Sequence, residues 1–418
     1  MNVLVSSTDS NLPRGAAPIQ TVVITRQPIL DVSQQLLGYD LLVHSADWHS
    51  GAESVERNLV HAFVDLGVER LVGAAEAFMR LPRLSLAVAT ALPVSGHRAV
   101  ISIDASVPID EQTLIDLTTL RRNGFRIALE NPPHPESDDN LQRAVALAQF
   151  AKFAMARAPD AAIVGALRAR GLKVIASGID TQAELRSAAA LGCDGFQGYF
   201  LCQPEAVVGT RLRENKLSVL RLLAAIEDPN KGPVELDAII RTDAALSYKV
   251  LRCVNSAYFA LPVRVRSILH ATVYLGVNRI RNWIRMLAIS GLDDCPTELL
   301  KFALIRGRMC ELLASDLPND QREMAFTVGL FSLLDAMLSA PLEELLSHIP
   351  LTDEIRVALL ERTGQLARLL EPVYACERGD WNLLESSRVS TAVCAAAYVD
   401  AVAWADHVFE AGGNAEPA

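Results

Sequence analysis

The residue types that most often carry chemistry are scattered in this chain. Its eight histidines, His44, His49, His61, His97, His134, His270, His348 and His407, form no HxxxH, HxH or His-Asp pairing of the kind that holds a metal. The seven cysteines are Cys193, Cys202, Cys253, Cys295, Cys310, Cys376 and Cys394. They are odd in number, unevenly spaced and without a CxxC, a pattern of reduced, buried thiols and not of a disulfide framework or zinc site. One cationic stretch contains Arg264, Arg266, Arg279, Arg281 and Arg285 around Trp283. It is either a solvated helix face or a docking patch for an acidic partner or nucleic acid. Asn255, Ser256 and Tyr258 end a helical run shortly before Pro262. Asn and Ser compete for local backbone hydrogen bonds, so capping is one reading there and partner contact the other.

These groups need a frame to position them. At 418 residues the chain exceeds one ordinary core, and about 100–200 residues per domain predicts two or three domains. Half the residues are hydrophobic and 21% are charged, which excludes disorder across the chain. The net charge is -10, from 39 Lys+Arg against 49 Asp+Glu, so no general attraction to nucleic acid or anionic lipid is expected. The first residues lack the basic start and apolar stretch of a signal peptide. No run reaches the roughly 20 apolar residues of a membrane span, and a soluble, cytoplasmic protein is expected.

Residues 1–20 are a polar, flexible lead. From 21 to 205, short β-rich runs alternate with amphipathic helical stretches. Strands are predicted at 21–25, 40–43, 76–81, 99–103, 125–129, 150–155, 172–176 and 195–200. Gly67, Gly124, Gly171 and Gly192 are expected to end helices. Near-continuous apolar strands alternating with helices predict an α/β barrel with a parallel sheet. The first two strands are joined by too few residues for a crossover helix, so that pair should be an antiparallel hairpin. From 206 to 410 the strand signal disappears and apolar residues recur at i, i+3, i+4 and i+7, an all-α second domain. Residues 411–418 form a disordered tail. The junction at 203–216 has little Gly or Ser and predicts a packed or helical connection.

The first half resembles an EAL domain, the barrel that hydrolyses cyclic di-GMP. The resemblance rests on RQPILD (26–31), GYDLLVH (38–44), NGFRIALEN (123–131), KVIASGIDT (173–181) and CDGFQGYFLCQP (193–204). It implies a site of two divalent metals about 4 Å apart that bind the scissile phosphate and activate water, held by carboxylate and amide oxygens at the strand ends. Several implied donors are changed here. The signature Glu is Asp40, the Asn is Arg80, and the next acids align with Ser102 and Ala105, with Asp104 nearby. The Asp-Asp pair is Glu130-Asn131, and the Glu after the seventh strand is Ser177, followed by a surviving Asp180. The Arg after the signature is His44, and a flexible Gly-rich loop is replaced by PPHPESDD (132–139). Gln27, Lys152 and Gln197 survive. No cofactor or metal is expected, and any nucleotide site should use Gln27, Asp40, Arg80, Lys152 and Gln197.

The second half resembles an HDOD domain, a helical module related to HD phosphohydrolases but without their catalytic residues. The matching stretches are 241–262, 267–283 and 325–338, and the positions of the HD metal ligands hold Ser332 and Leu333. Asp335, alone on an apolar helix, is expected to be a capped or rim residue.

Together these resemblances imply an EAL–HDOD bacterial signalling protein that has lost catalysis and acts by binding signalling proteins, with Asn255, Tyr258, Arg279, Arg281 and Arg285 as the partner-facing residues. The alternatives are a metal-free receptor for cyclic di-GMP and a weak phosphodiesterase. A homodimer is left open. On the receptor reading, Lys152→Ala is expected to abolish nucleotide binding with little change in thermal stability.

Overall fold

A computed structural model of the chain describes residues 22–45, 68–81, 86, 89, 96–157, 159–203, 214–228, 230–241, 246, 250, 251, 254, 255, 265, 267–289, 295–387 and 389–413. The polar lead, Gly67, Cys253, Ser256 and Tyr258 lie outside the described residues.

Eight strands close a barrel in sequence order: β1 (Val22–Leu30), β2 (Leu36–Ser45), β3 (Glu76–Arg80), β4 (Ala99–Asp104), β5 (Arg126–Glu130), β6 (Phe150–Ala154), β7 (Lys173–Ser177) and β8 (Gly195–Gln197). β1 runs antiparallel to both β2 and β8, and the remaining neighbours are parallel. The hairpin turn is held by Asp31, whose carboxylate accepts from the backbone N–H of Ser33 (2.8 Å) and Gln35 (2.9 Å). The predicted strands and the antiparallel first pair are all found.

Helices return the chain between the parallel strands, and their ends are written in local chemistry. Asp110, Asp138 and Asp160 accept backbone N–H groups as N-caps, and Thr181 with Glu184 forms a capping box. Gly124, Gly171 and Gly192 follow three of these helices at φ of 88°, 87° and 88°, a left-handed conformation that glycine adopts without steric cost.

Inside the barrel, Ile29, Phe78, Val100, Ala128, Phe150 and Ile175 form an apolar plug, with Phe78 and Phe150 edge to face at 5.0 Å. A Cβ at Gly38 would lie 2.9 Å from the Phe78 ring, so this glycine makes room for the plug. Side chains two positions apart on a strand share a face. The next inward layer towards the parallel strands' carboxyl ends therefore consists of Arg80, Ser102, Glu130, Lys152, Ser177 and Gln197.

Two compact units are present: Met1–Phe200 with Tyr374–Val399, and Leu201–Val373 with Asp400–Ala418. The sequence reading had placed all of 206–410 in the helical domain, whereas residues 374–399 group with the barrel. The cause lies in β1. β8 reaches only Ile29 and Leu30, so the rest of that edge has no strand beside it among the described residues, and unpaired edge groups require partners. The Tyr398 hydroxyl accepts from the Arg26 N–H (3.0 Å) and donates to the Arg26 carbonyl (3.3 Å).

In the helical unit, one core cluster joins Ile226, Leu236, Ile240, Val250, Val254, Ala271, Ile280 and Ile284. The helices Thr297–Leu313 and Asn319–Phe331 meet at glycines: a Cβ at Gly307 would lie 3.1 Å from the Phe326 ring, and one at Gly329 would strike the Arg306 carbonyl. Trp404 packs edge to face on Trp283 and Phe326, each at 6.0 Å. The expected helix over 353–377 is broken, with Arg362 and Gly364 at φ of 57° and 90°. Among the described residues one helix window, Thr391–Phe409, is apolar and long enough to cross a bilayer, and 44% of it is buried. That amends the reading that no run approaches a span; buried core helices share this composition, and Ala401, Val402 and Ala405 are fully buried.

Candidate functional site

At the carboxyl ends of the barrel strands, the register places Gln27 opposite Asp40, Arg80 opposite Ser102, Glu130 opposite both Asp104 and Lys152, and Ser177 opposite Gln197. The five nucleotide-site candidates thus converge. Asp40 and Lys152 are buried, and the Lys152 ammonium donates to Asp40 Oδ2 at 2.5 Å. The same oxygen accepts from Gln197 Nε2 at 2.9 Å. Gln197 Nε2 also donates to Gln27 Oε1 (2.9 Å), and Gln27 Nε2 donates onward to the Glu377 carbonyl (2.8 Å).

Arg80 occupies the other side. Its guanidinium lies 3.3 Å from Glu130 Oε2 and 3.6 Å from Asp104 Oδ2. Asp104 also accepts from the Ser106 N–H (2.9 Å) and hydroxyl (2.6 Å). Burial holds the Glu130 carboxyl above its ordinary value, and Lys152 and Arg80 oppose that rise. Asn131, in a left-handed conformation with φ 48°, uses its side-chain oxygen to accept from the Ala154 N–H (3.1 Å).

This donor set does not fit the two-metal centre that the barrel's resemblance implied. The carboxylate at the signature position is engaged by an ammonium and an amide. The other two acids share a guanidinium, whose positive charge opposes a cation between them. Among the described residues no cluster of three His, Cys, Asp or Glu is arranged to hold an ion. Ser177 donates to the Phe153 carbonyl (3.2 Å), and Asp180 is exposed with its backbone N–H on Glu184. Ala105 is buried and adds no donor atom. The side chain of His44 lies outside what is described.

A cavity of about 660 Å³ opens over this cluster. Gln27, Asp40, Arg80, Asp104, Glu130, Asn131, Lys152 and Ser177 line it, together with Arg378, Gly379 and Trp381. These last three belong to the segment that groups with the barrel, and sequence reasoning missed them. The available signal was the Arg-Gly-Asp-Trp run at 378–381, a helix stop followed by a new cap inside an expected helix.

The partner-face candidates are not brought together. Asn255 donates to the carbonyls of Leu251 and Val265 and accepts from the Val265 N–H, each at 2.7–2.8 Å. It is a clasp on a turn. Arg285 is buried, with its fork on the Glu227 carboxylate and on Asn282. Arg281 donates to the Lys231 carbonyl, and only Arg279 is exposed. Arg281 and Arg285 are therefore committed inside the helical unit, and Trp283 is buried. Where the HD relation would place metal ligands, the buried Ser332 hydroxyl accepts from Arg306 at 3.0 Å. Asp335 is a partly buried acid, raised above its ordinary value by burial.

Comparison with known proteins agrees with this division. A family model described as an EAL domain matches residues 145–204, and one described as an HDOD domain matches residues 216–342. The uncharacterized protein YuxH of Bacillus subtilis (strain 168) is 26% identical over 406 residues, 93% of this chain and 99% of its own. The cyclic di-GMP phosphodiesterase CdgJ of Vibrio cholerae serotype O1 is 28% identical over 375 residues, 87% of each chain. The crystal structure of the EAL domain of Mycobacterium smegmatis DcpA covers 43% of this chain and 91% of its own, at 18% identity and a TM-score of 0.36. With the EAL match on the closing strands of its barrel and the HDOD match on the helices that follow, this chain is an EAL–HDOD protein.

Proposed function

We propose that this chain is a cytoplasmic regulator in cyclic di-GMP signalling that does not hydrolyse the nucleotide and acts by binding signalling proteins. One observation carries the reading: Lys152 and Gln197 occupy the Asp40 carboxylate while Arg80 lies beside Glu130 and Asp104. Cations of the protein itself thereby stand where phosphodiester hydrolysis needs divalent metal. Loss of the ligand set in a fold that keeps its architecture is most simply explained by binding, although a fold by itself names no partner.

A second reading, a metal-free cyclic di-GMP receptor, is favoured by the cavity, which is large enough for a nucleotide and carries guanidinium groups suited to phosphate. Calorimetric titration of the purified chain with cyclic di-GMP in Mg²⁺ buffer, with the ligand analysed afterwards, tests both. Recovery of intact ligand supports the non-hydrolytic reading, and heat of binding adds the receptor. Cleaved ligand contradicts the proposal.

A further inference from the structure

The cavity is completed by a short piece of chain that neither the EAL nor the HDOD match covers. The helix Leu370–Arg378 stops at Gly379, φ 65°, and Asp380 caps the next helix, Trp381–Ser386, by accepting from the Leu383 N–H (3.1 Å). This junction is fixed against the barrel at three points. The Glu377 carbonyl receives Gln27, a Cβ on Gly379 would come 2.7 Å from Leu42 Cδ1, and the Arg378 guanidinium stacks on the Tyr199 ring at 4.2 Å. Tyr199 follows Gln197 and Gly198 directly, so the segment leans on the same strand end that supplies the buried amide.

The cations of the cavity are not equivalent. Lys152 is matched to Asp40, and Arg80 is shared by two carboxylates. Arg378 is exposed, rests on an aromatic ring, and is ion-paired with no carboxylate among the described residues. A stacked guanidinium keeps its planar fork of donors oriented for a phosphate. Trp381, three residues on and half-buried, gives the same wall an aromatic surface of the kind on which bases stack.

We propose that Arg378 and Trp381 form a ligand-binding wall for a phosphodiester-linked purine nucleotide, contributed from outside the EAL-matched sequence and replacing phosphate-binding charge that the barrel spends on its own carboxylates. The proposal rests on the receptor reading above. Nucleotide occupancy then depends on the placement of Tyr374–Val399, so the site belongs to the full chain and not to residues 21–205 alone.

The test is calorimetry of the full chain with cyclic di-GMP in EDTA, comparing wild type with Arg378→Gln, Trp381→Ala and Trp381→Phe. Arg143→Gln, at an exposed pair with Glu111, is the control. Arg378→Gln and Trp381→Ala are each expected to weaken binding by about tenfold or more. Trp381→Phe, which keeps a stacking face, should recover most of the affinity, and Arg143→Gln should bind like wild type. Melting curves confirm that each variant is folded, and Trp381→Phe replaces Trp381→Ala as the aromatic probe if the latter is not. Wild-type binding with unchanged affinity in Arg378→Gln and Trp381→Ala overturns the proposal and leaves the receptor reading intact. No binding by wild type overturns both.

Discussion

Replacing Lys152 with alanine would leave the Asp40 carboxylate buried with its ammonium partner removed, Gln197 alone remaining beside it. Breaking a buried pair by deleting one partner costs about 3–5 kcal/mol. Lys152→Ala should therefore lower stability by that amount in chemical denaturation, and adding Asp40→Asn should restore much of it. This corrects the sequence-based expectation that Lys152→Ala would spare stability: the motif showed that the lysine was present but not that it was consumed. Glu130 supplies a pH signature. Its folded-state carboxyl is raised above 4.5 by burial, so between the ordinary and the raised value the folded chain holds a proton that the unfolded chain has released. Stability contributed by this group falls as pH rises through that window and is fully lost above it. Glu130→Gln lacks this slope. The difference between variant and wild type should shift in favour of Glu130→Gln between about pH 5 and about pH 7.5, and a constant difference in urea titrations would contradict the assignment.

At the scale of elements, the strands were legible because both faces of a parallel barrel strand are covered and the apolar runs are short and distinct. The layer of site residues was legible as well, since the two-residue period places Arg80, Glu130 and Lys152 directly above Phe78, Ala128 and Phe150. Gly198 is also intelligible in hindsight: a Cβ there would strike the Ile179 backbone, which accepts from the Phe200 N–H and donates to the Gln197 carbonyl. The destination of the last helices was not legible. Amphipathic periodicity over 353–377 and 389–409 says that one face is buried, but not against what. The overhang of β1 past β8 decides it, and strand lengths to within two residues cannot be read from apolar runs. Tyr398→Phe isolates this link. It removes the hydroxyl from the Arg26 backbone and should cost about 1–3 kcal/mol, with amide exchange faster at Arg26 than elsewhere in β1. Unchanged exchange at Arg26 would show that Tyr398 does not cap the edge.

For the whole molecule, the order of domains followed from the change of period near residue 205, and the substituted ligand positions followed from motifs. What no motif carried was the reuse of charge. Arg80 and Lys152 each stand close to acids that a metal centre would require, and a segment from beyond the helical core supplies Arg378 and Trp381 to the cavity wall. The sequence separation between Gln27 and Glu377, 350 positions, puts this contact beyond local pattern. The same separation explains why Arg281 and Arg285, which form a basic run on paper, are spent on Lys231 and Glu227 in the folded chain.

The most direct measurement is a single-turnover assay: the full chain in excess over cyclic di-GMP, with Mn²⁺ or Mg²⁺ saturating, followed by chromatography of the nucleotide. The account predicts intact cyclic di-GMP with either metal. Metal-dependent conversion to the linear dinucleotide that disappears in Asp40→Asn would contradict it, because it would require Asp40 to leave Lys152 and bind an ion.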